Sequence, residues 1–161
     1  MADLSLYRPN VGVVLFHPDG RVWLGRRAKT PEPYCWQFPQ GGVDPDEVER
    51  GEWEAAARRE LLEETGVRSA DLLAATKDWI TYDFPPEASG AKITRGWKGQ
   101  KQKWFALRFT GEETEIDLTA SPPIEFDAWR WGRLHEVSDL IVPFKRPAYE
   151  QVVAAFTRFA A

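Results

Sequence analysis

The chain has a single cysteine, Cys35, and two histidines. No internal disulfide is possible, and no Cys/His cluster has the spacing of a zinc site, so a reducing compartment, the cytoplasm, is expected. No apolar run approaches the roughly 18 residues that span a bilayer. The opening MADLSLYRPN lacks the basic start and apolar stretch of a signal peptide, and no membrane is expected as a partner. Positive charge is not in excess either. With 21 Lys and Arg against 25 Asp and Glu the net charge is −4, which argues against broad adhesion to nucleic acid and against DNA as a partner, and confines any phosphate contact to a local patch. There is no repeat, no low-complexity tract and no long linker. At 161 residues, 43% apolar and 29% charged, the composition is that of one globular domain, residues 1–161, read as a monomer.

Aromatic residues are plentiful, with 8 Trp, 9 Phe and 4 Tyr, and such rings either fill a core or offer faces on which bases stack. Charge is segregated along the chain. Carboxylates crowd Asp44 to Glu64, whereas Ala88 to Gly111 carries Lys92, Arg95, Lys98, Lys101, Lys103 and Arg108 with no acid among them. An acidic patch and a basic patch suit a metal site facing a polyanion; two solvated faces of opposite sign are the alternative.

Val11 to Phe16 reads as a buried strand, His17-Pro18-Asp19-Gly20 as a turn, and Arg21 to Arg27 as the returning strand of a hairpin. Ala28 to Tyr34 is a Pro-rich loop. In Gln37 to Gly42 the paired glycines permit positive φ and close backbone approach to a ligand. The segment from Glu52 to Thr65 is rich in helix formers and ends at Gly66, a natural stop. Trp79 to Phe84 and Lys103 to Phe109 read as strands around a Gly/Pro-containing loop, and Glu125 to Trp131 alternates with period two. Arg146 to Phe159 has Pro147 in its first turn and Val152, Val153, Phe156 and Phe159 at helical spacing, an apolar stripe for core packing. Strands, a central helix, more strands and a terminal helix predict an α/β sandwich, a mixed sheet between flanking helices.

On a helix, Glu60, Glu63 and Glu64 stand at i, i+3 and i+4. All three carboxylates share one face while Leu61 and Leu62 point away. Like charges at these spacings repel by a few tenths of a kcal/mol per pair. Arg59 alone cannot neutralise three of them, but a hard divalent ion can. Mg²⁺ takes oxygen ligands, keeps waters, and sits between carboxylates and substrate phosphates. It lowers the pKa of bound water and draws charge from phosphoryl oxygens, as phosphoanhydride hydrolysis requires. A bare acidic helix face is otherwise a solvated surface.

The surrounding string is Gly41-Gly42-Val43-Asp44-Pro45-Asp46-Glu47, followed by Arg59-Glu60-Leu61-Leu62-Glu63-Glu64-Thr65-Gly66-Val67. It resembles the Nudix box, G-x5-E-x7-REUxEExGU with U apolar, and the second half matches at every specified position. The resemblance implies the Nudix fold, a mixed sheet sandwiched between helices, and two or three Mg²⁺ or Mn²⁺ ions. It assigns Glu60 and Glu64 as metal ligands, Glu63 as a further ligand or the water-activating group, Arg59 as the residue that orients the carboxylates, and Gly41 to the metal site. One departure concerns the loop. Eleven residues separate Glu47 from Arg59 where the family has seven, so either there is a four-residue insertion or Glu52 plays the first glutamate's part.

Blocks outside the box resemble the branch of the family that holds bacterial RNA pyrophosphohydrolases and asymmetric dinucleoside polyphosphate hydrolases. They are Tyr7 to Val13, Trp36 to Gly42, Gly99 to Phe105, Glu125-Phe126-Asp127 with Trp129-Arg130-Trp131, and Pro143-Phe144-Lys145-Arg146. Arg8, Lys103 and Lys145 within them, and Arg27 outside them, have the chemistry to neutralise a polyphosphate, Arg by paired hydrogen bonds to phosphate oxygens. Phe144 beside Lys145 is a candidate to stack a base, and Tyr82 a second one. The resemblance also brings Glu125 to the metals as a fourth carboxylate, to ligate an ion or to take a proton from the attacking water.

The reaction implied is attack of water on a phosphorus of a nucleoside polyphosphate without a covalent intermediate. The branch acts on the 5′ triphosphate or diphosphate end of RNA, giving a 5′ monophosphate, and on dinucleoside polyphosphates such as diadenosine tetraphosphate, giving ATP and AMP. A Nudix pyrophosphatase of small metabolites and a non-catalytic nucleotide- or RNA-binding module are the rivals. Blocks outside the box speak against the first, and the full glutamate set speaks against the second. The basic loop from Ala88 to Gly99 is expected to be mobile when empty and to settle on polyphosphate.

Overall fold

The computed structural model describes residues 3–86 and 95–161. Most of the segment in which loop ordering was expected therefore lies outside the described residues. The strands are β1 (Tyr7–Phe16), β2 (Val22–Arg27), β3 (Trp36–Gln37), β4 (Gln40–Gly42), β5 (Ala70–Ala75), β6 (Ile80–Asp83), β7 (Gly99–Phe109) and β8 (Phe126–Gly132). The α-helices are α1 (Pro45–Arg50), α2 (Trp53–Thr65), α3 (Val137–Leu140) and α4 (Arg146–Phe156).

The sheet runs β3-β2-β1-β7-β5, with β4 paired to β1, β6 to β7 and β8 to β2. Its spine is the parallel pair β1–β7, in register from Tyr7↔Gly99 to Phe16↔Arg108; the other pairings are antiparallel. From Asn10 onward β1 is buried at every residue, which explains its near-continuous apolar run: a central strand covered on both faces has no polar side to alternate with. Val11, Val13 and Leu15 pack with Ala56, Ala57 and Leu61 of α2. Val14 and Phe16 pack on the other face with Tyr149, Val152 and Phe156 of α4. The sheet is thus sandwiched between the two helices named by the sequence pattern.

The hairpin turn forms as expected, with Gly20 at φ 93° and its N–H donating to His17 O at 2.9 Å. Helix α2 stops at Gly66, whose φ of 77° and N–H donation to Leu62 O at 2.8 Å close the last turn. Helix α1 is an addition to the elements that the sequence pattern predicts. It is a short turn begun by Asp44 and Pro45 and ended by Gly51 at φ 65°, and it takes up the extra residues between Glu47 and α2. Gly41 and Gly42, by contrast, are absent from the positive-φ residues. Close approach, not an unusual backbone, is their use.

Candidate active site

Helix α2 stands over β1 and β4 and carries Glu60, Glu63 and Glu64 to the rim of a cavity of about 400 Å³, where Glu125 meets them from the segment leading into β8. Arg8, Arg27 and Lys145 line the same cavity. The three carboxylates of α2 are therefore brought together with Glu125 and three cations that are remote from them in sequence.

Arg59 organises the acidic side. Its Nη2 and Nε donate to Glu47 Oε1 and Oε2 at 2.8 and 3.1 Å, its Nη1 to Glu60 Oε1 at 2.9 Å, and its Nη2 also to Gly42 O at 3.0 Å. Glu63 is at the edge of reach, 3.5 Å from Nη1. Glu47 is buried and its other contact is the Asp44 N–H, at 2.8 Å. Its carboxyl is held below the usual range, first by the Arg59 hydrogen bonds. Glu52 is exposed at the start of α2, and among the described residues its carboxylate pairs only with Arg50, at 3.9 Å. Glu47 is the residue that braces the arginine, and the four-residue insertion lies behind it.

Glu64 is 7% exposed, and among the described residues neither carboxylate oxygen meets the geometry of a hydrogen bond, although the Glu60 carboxyl and the Gln40 backbone lie close to it. Its carboxyl is pushed well above the usual range by burial and by the neighbouring charges of Glu60 and Glu125. Glu60 is raised by burial as well, with Arg59 opposing. An ionised carboxylate left unpaired inside a protein costs several kcal/mol, and a cation is what removes that cost. Glu60 lies against Gly41, where a Cβ would land on the Glu60 carboxylate; only glycine leaves room for that side chain at the cavity wall. Likewise a Cβ on Gly42 would press on the Arg8 guanidinium. Among the described residues no three acidic, His or Cys side chains already form a closed metal cage. The carboxylates present instead an open, oxygen-only donor set, the kind Mg²⁺ and Mn²⁺ accept while retaining water and substrate oxygens.

On the cationic side, Arg27 Nε is 3.9 Å from Glu125 Oε1. Lys145, in the turn Pro143–Lys145, is buried, and its ammonium sits 5.5 Å from the Tyr82 ring centroid and 5.9 Å from that of Phe144. Burial, reinforced by the Arg27 charge, lowers its pKa to about 8.

Two of the expected substrate residues are placed elsewhere. Lys103 is outside the cavity: side chains alternate along β7, so Gln100 and Gln102 face the cavity side while Lys101 and Lys103 lie over Trp79, at 5.0 and 4.7 Å. Lys103 Nζ donates to Lys77 O at 3.0 Å. The basic run that suggested a phosphate patch is accordingly dispersed among the described residues, with Lys98 beside Asp83 at 3.7 Å. Tyr82 is buried, with its hydroxyl on Gln100 Oε1 at 2.7 Å and its ring against Phe84 and Phe144. It has no free face for a base and instead backs Phe144, which is half-buried.

The structure adds Asn10, Gln37, Gln40 and Gln100 to the cavity wall. These neutral amides carried no charge signal. Their only mark in the sequence is polarity at strand positions that are otherwise apolar.

A family model described as NUDIX domain matches residues 6–152. The RNA pyrophosphohydrolase of Caulobacter vibrioides (strain NA1000 / CB15N) is 68% identical over 159 residues, covering 98% of this chain and 90% of the relative. That of Rhodopseudomonas palustris (strain HaA2) is 48% identical over 160 residues, covering 96% and 93%. Among solved structures, the C. elegans Ap4A hydrolase superposes with a TM-score of 0.64 at 16% identity, over 94% of this chain and 98% of the other, a likeness of fold.

Proposed function

The chain belongs to the Nudix family, and from that premise we propose that it is a metal-dependent RNA pyrophosphohydrolase that converts the 5′ triphosphate end of RNA to a 5′ monophosphate and releases pyrophosphate. A diphosphate end gives phosphate in the same way, and the same cavity accepts dinucleoside polyphosphates, since both substrates join a nucleotide to a polyphosphate. The name of the relatives at 68% and 48% identity supports the RNA assignment. The observation that carries the chemistry is Glu64, a buried carboxylate beside Glu60 and Glu125 whose oxygens make no geometric hydrogen bond among the described residues.

Glu60, Glu63, Glu64, Glu125 and the backbone at Gly41 would hold two or three Mg²⁺ or Mn²⁺ ions, which supply a lowered pKa to water and draw charge from the phosphoryl oxygens. Arg59 holds Glu60 in place through its own anchorage on Glu47. Arg8, Arg27 and Lys145 neutralise the polyphosphate across the cavity. Phe144, beside Lys145, gives the base a ring to rest on. The oxygen of water bonds to phosphorus, the phosphoanhydride P–O bond breaks with its electron pair going to the departing pyrophosphate, and a cavity carboxylate takes the proton.

Product analysis tests this, with 5′-triphosphorylated RNA and diadenosine tetraphosphate offered separately and in competition with Mg²⁺ or Mn²⁺. Preferential conversion of RNA to its 5′ monophosphate is expected. Preference for the dinucleotide, with ATP and AMP as products, would make it an asymmetric dinucleoside polyphosphate hydrolase instead.

A further inference from the structure

One wall of the cavity is built of amides, and a single indole decides which way they face. Trp104 is fully buried and donates its Nε1 hydrogen to Gln102 Oε1 at 3.0 Å. An indole N–H can only donate, so the equally buried Gln102 must turn its oxygen to Trp104 and its NH₂ away. There Gln102 Nε2 donates to Asn10 Oδ1 at 2.9 Å and Gln40 Oε1 at 3.0 Å. Both amides are thereby oriented with oxygen inward and NH₂ outward. Gln100 is held the same way, its Oε1 taking the Tyr82 hydroxyl at 2.7 Å and lying 3.4 Å from Gln102 Nε2. Gly12 makes the arrangement possible, since a Cβ there would occupy the Trp104 ring.

Asn10, Gln40 and Gln100 all line the cavity beside Glu60 and Glu64. Among the described residues none of their NH₂ groups has an acceptor. Gln37, 2% exposed, lines the same cavity with its side-chain amide in no hydrogen bond to a described residue. None of these amides is among the buried polar atoms left without a partner, so their NH₂ groups open on the cavity rather than being sealed in protein.

We propose that Asn10, Gln40 and Gln100 form a wall of neutral N–H donors that binds the non-bridging oxygens of the substrate's polyphosphate, with Trp104 and Gln102 as positioning residues that keep the wall turned outward. This rests on the polyphosphate reading of the cavity. Phosphate is the matching ligand because its oxygens only accept, whereas base edges mix donors and acceptors and would meet a donor-only wall imperfectly. Neutral donors also suit the place. A lysine or arginine here would pair with Glu60 and Glu64 and compete with the divalent ion, while an amide holds phosphate without that rivalry.

The test titrates inorganic pyrophosphate into the Mg²⁺-loaded full chain by calorimetry, for the natural protein, Gln40→Met, Gln100→Met and Gln40→Glu, with kinetics on 5′-triphosphorylated RNA alongside. Gln40 and Gln100 are only half-buried, so these variants fold. Each Met variant is expected to weaken pyrophosphate binding about tenfold, the scale of one hydrogen bond to a charged group, and to raise KM more than it lowers kcat. Gln40→Glu, which keeps the inward oxygen and replaces only the outward NH₂, is expected to lose more. Trp104→Phe should weaken pyrophosphate in the natural background and add less in Gln40→Met, a coupling that general loss of packing would not give. Unchanged pyrophosphate affinity in the Met variants overturns the donor wall, including the case in which preference among 5′-terminal bases shifts instead. Absence of RNA turnover in the natural protein would sink the proposed function separately, because pyrophosphate binding is read without turnover.

Discussion

Arg59 and Glu47 meet as two planar groups, Nη2 to Oε1 at 2.8 Å and Nε to Oε2 at 3.1 Å, tying α2 to the short helix before it. Both side chains are largely shielded, 27% and 11% exposed, so this is a paired, charge-assisted contact worth more than a surface ion pair. Removing one partner of such a pair costs about 3 kcal/mol. Glu47→Gln is therefore expected to destabilise the chain on that scale in urea unfolding and to lower turnover through a displaced Glu60. Glu52→Gln, at an exposed position, is expected to stay within about 0.5 kcal/mol of the natural protein. Equal effects of the two would mean that Glu47 is not the brace.

Glu64 titrates abnormally. The unfolded chain releases this proton in the ordinary carboxylate range, whereas the folded chain holds it higher, chiefly because the group is buried. Stability of the metal-free protein is thus present at low pH and is lost as pH rises through the folded-state value. Glu64→Gln is expected to remove that slope, which begins in the ordinary carboxylate range and runs upward in pH, and to raise the metal-free melting temperature by roughly 2–4 °C for each kcal/mol recovered. The same variant is expected to abolish turnover. Thermal scans against pH, without metal, read the first effect; a parallel slope in natural and variant protein would contradict it.

Lys145 gives the opposite limb. The folded protein gives up this proton near pH 8, first because the ammonium is buried and then because Arg27 is close; the unfolded chain keeps it to about pH 10.5. The metal-free fold gains stability across that window, while the cavity loses one cation for the polyphosphate. KM for triphosphorylated RNA is expected to rise above about pH 8 and to rise less in Lys145→Arg, whose charge persists. Identical alkaline limbs would show that Lys145 does not meet the phosphates.

Position, not charge alone, separates Arg27 from Lys103. Arg27 lines the cavity, and Lys103 lies across the sheet over Trp79. Arg27→Met is expected to raise KM about tenfold or more, in line with losing a charge-assisted contact, and Lys103→Met to leave it within about twofold. A large effect at Lys103 would mean that substrate reaches the far face.

The sandwich was legible because its signals are local and periodic: the buried run of β1, the alternation of β8, and Gly66 as the stop of α2. The acidic cluster was legible because i, i+3 and i+4 spacing puts Glu60, Glu63 and Glu64 on one helix face. Other features depended on tertiary placement. The brace on Arg59 had two candidates, and only burial of Glu47 against exposure of Glu52 separates them. Asp44-Pro45 and Gly51 bound α1, but a helix of six residues is too short to show an apolar stripe in the sequence. Tyr82 and Lys103 were named by chemistry suited to stacking and to phosphate, but neighbours across β6 and β7 decide that one is buried and the other faces away. The amides of the cavity wall carry no charge pattern, and their orientation exists only once Trp104 and Gln102 are packed together.

The central claim is tested most directly by incubating 5′-triphosphorylated RNA with the natural chain and with Glu64→Gln in Mg²⁺ or Mn²⁺ and following pyrophosphate release. Release of pyrophosphate with stoichiometric 5′-monophosphorylated RNA by the natural protein, abolished by Glu64→Gln while the variant stays folded, is the expected result. Pyrophosphate release that persists in Glu64→Gln, or RNA bound by the natural chain and left intact, would contradict it.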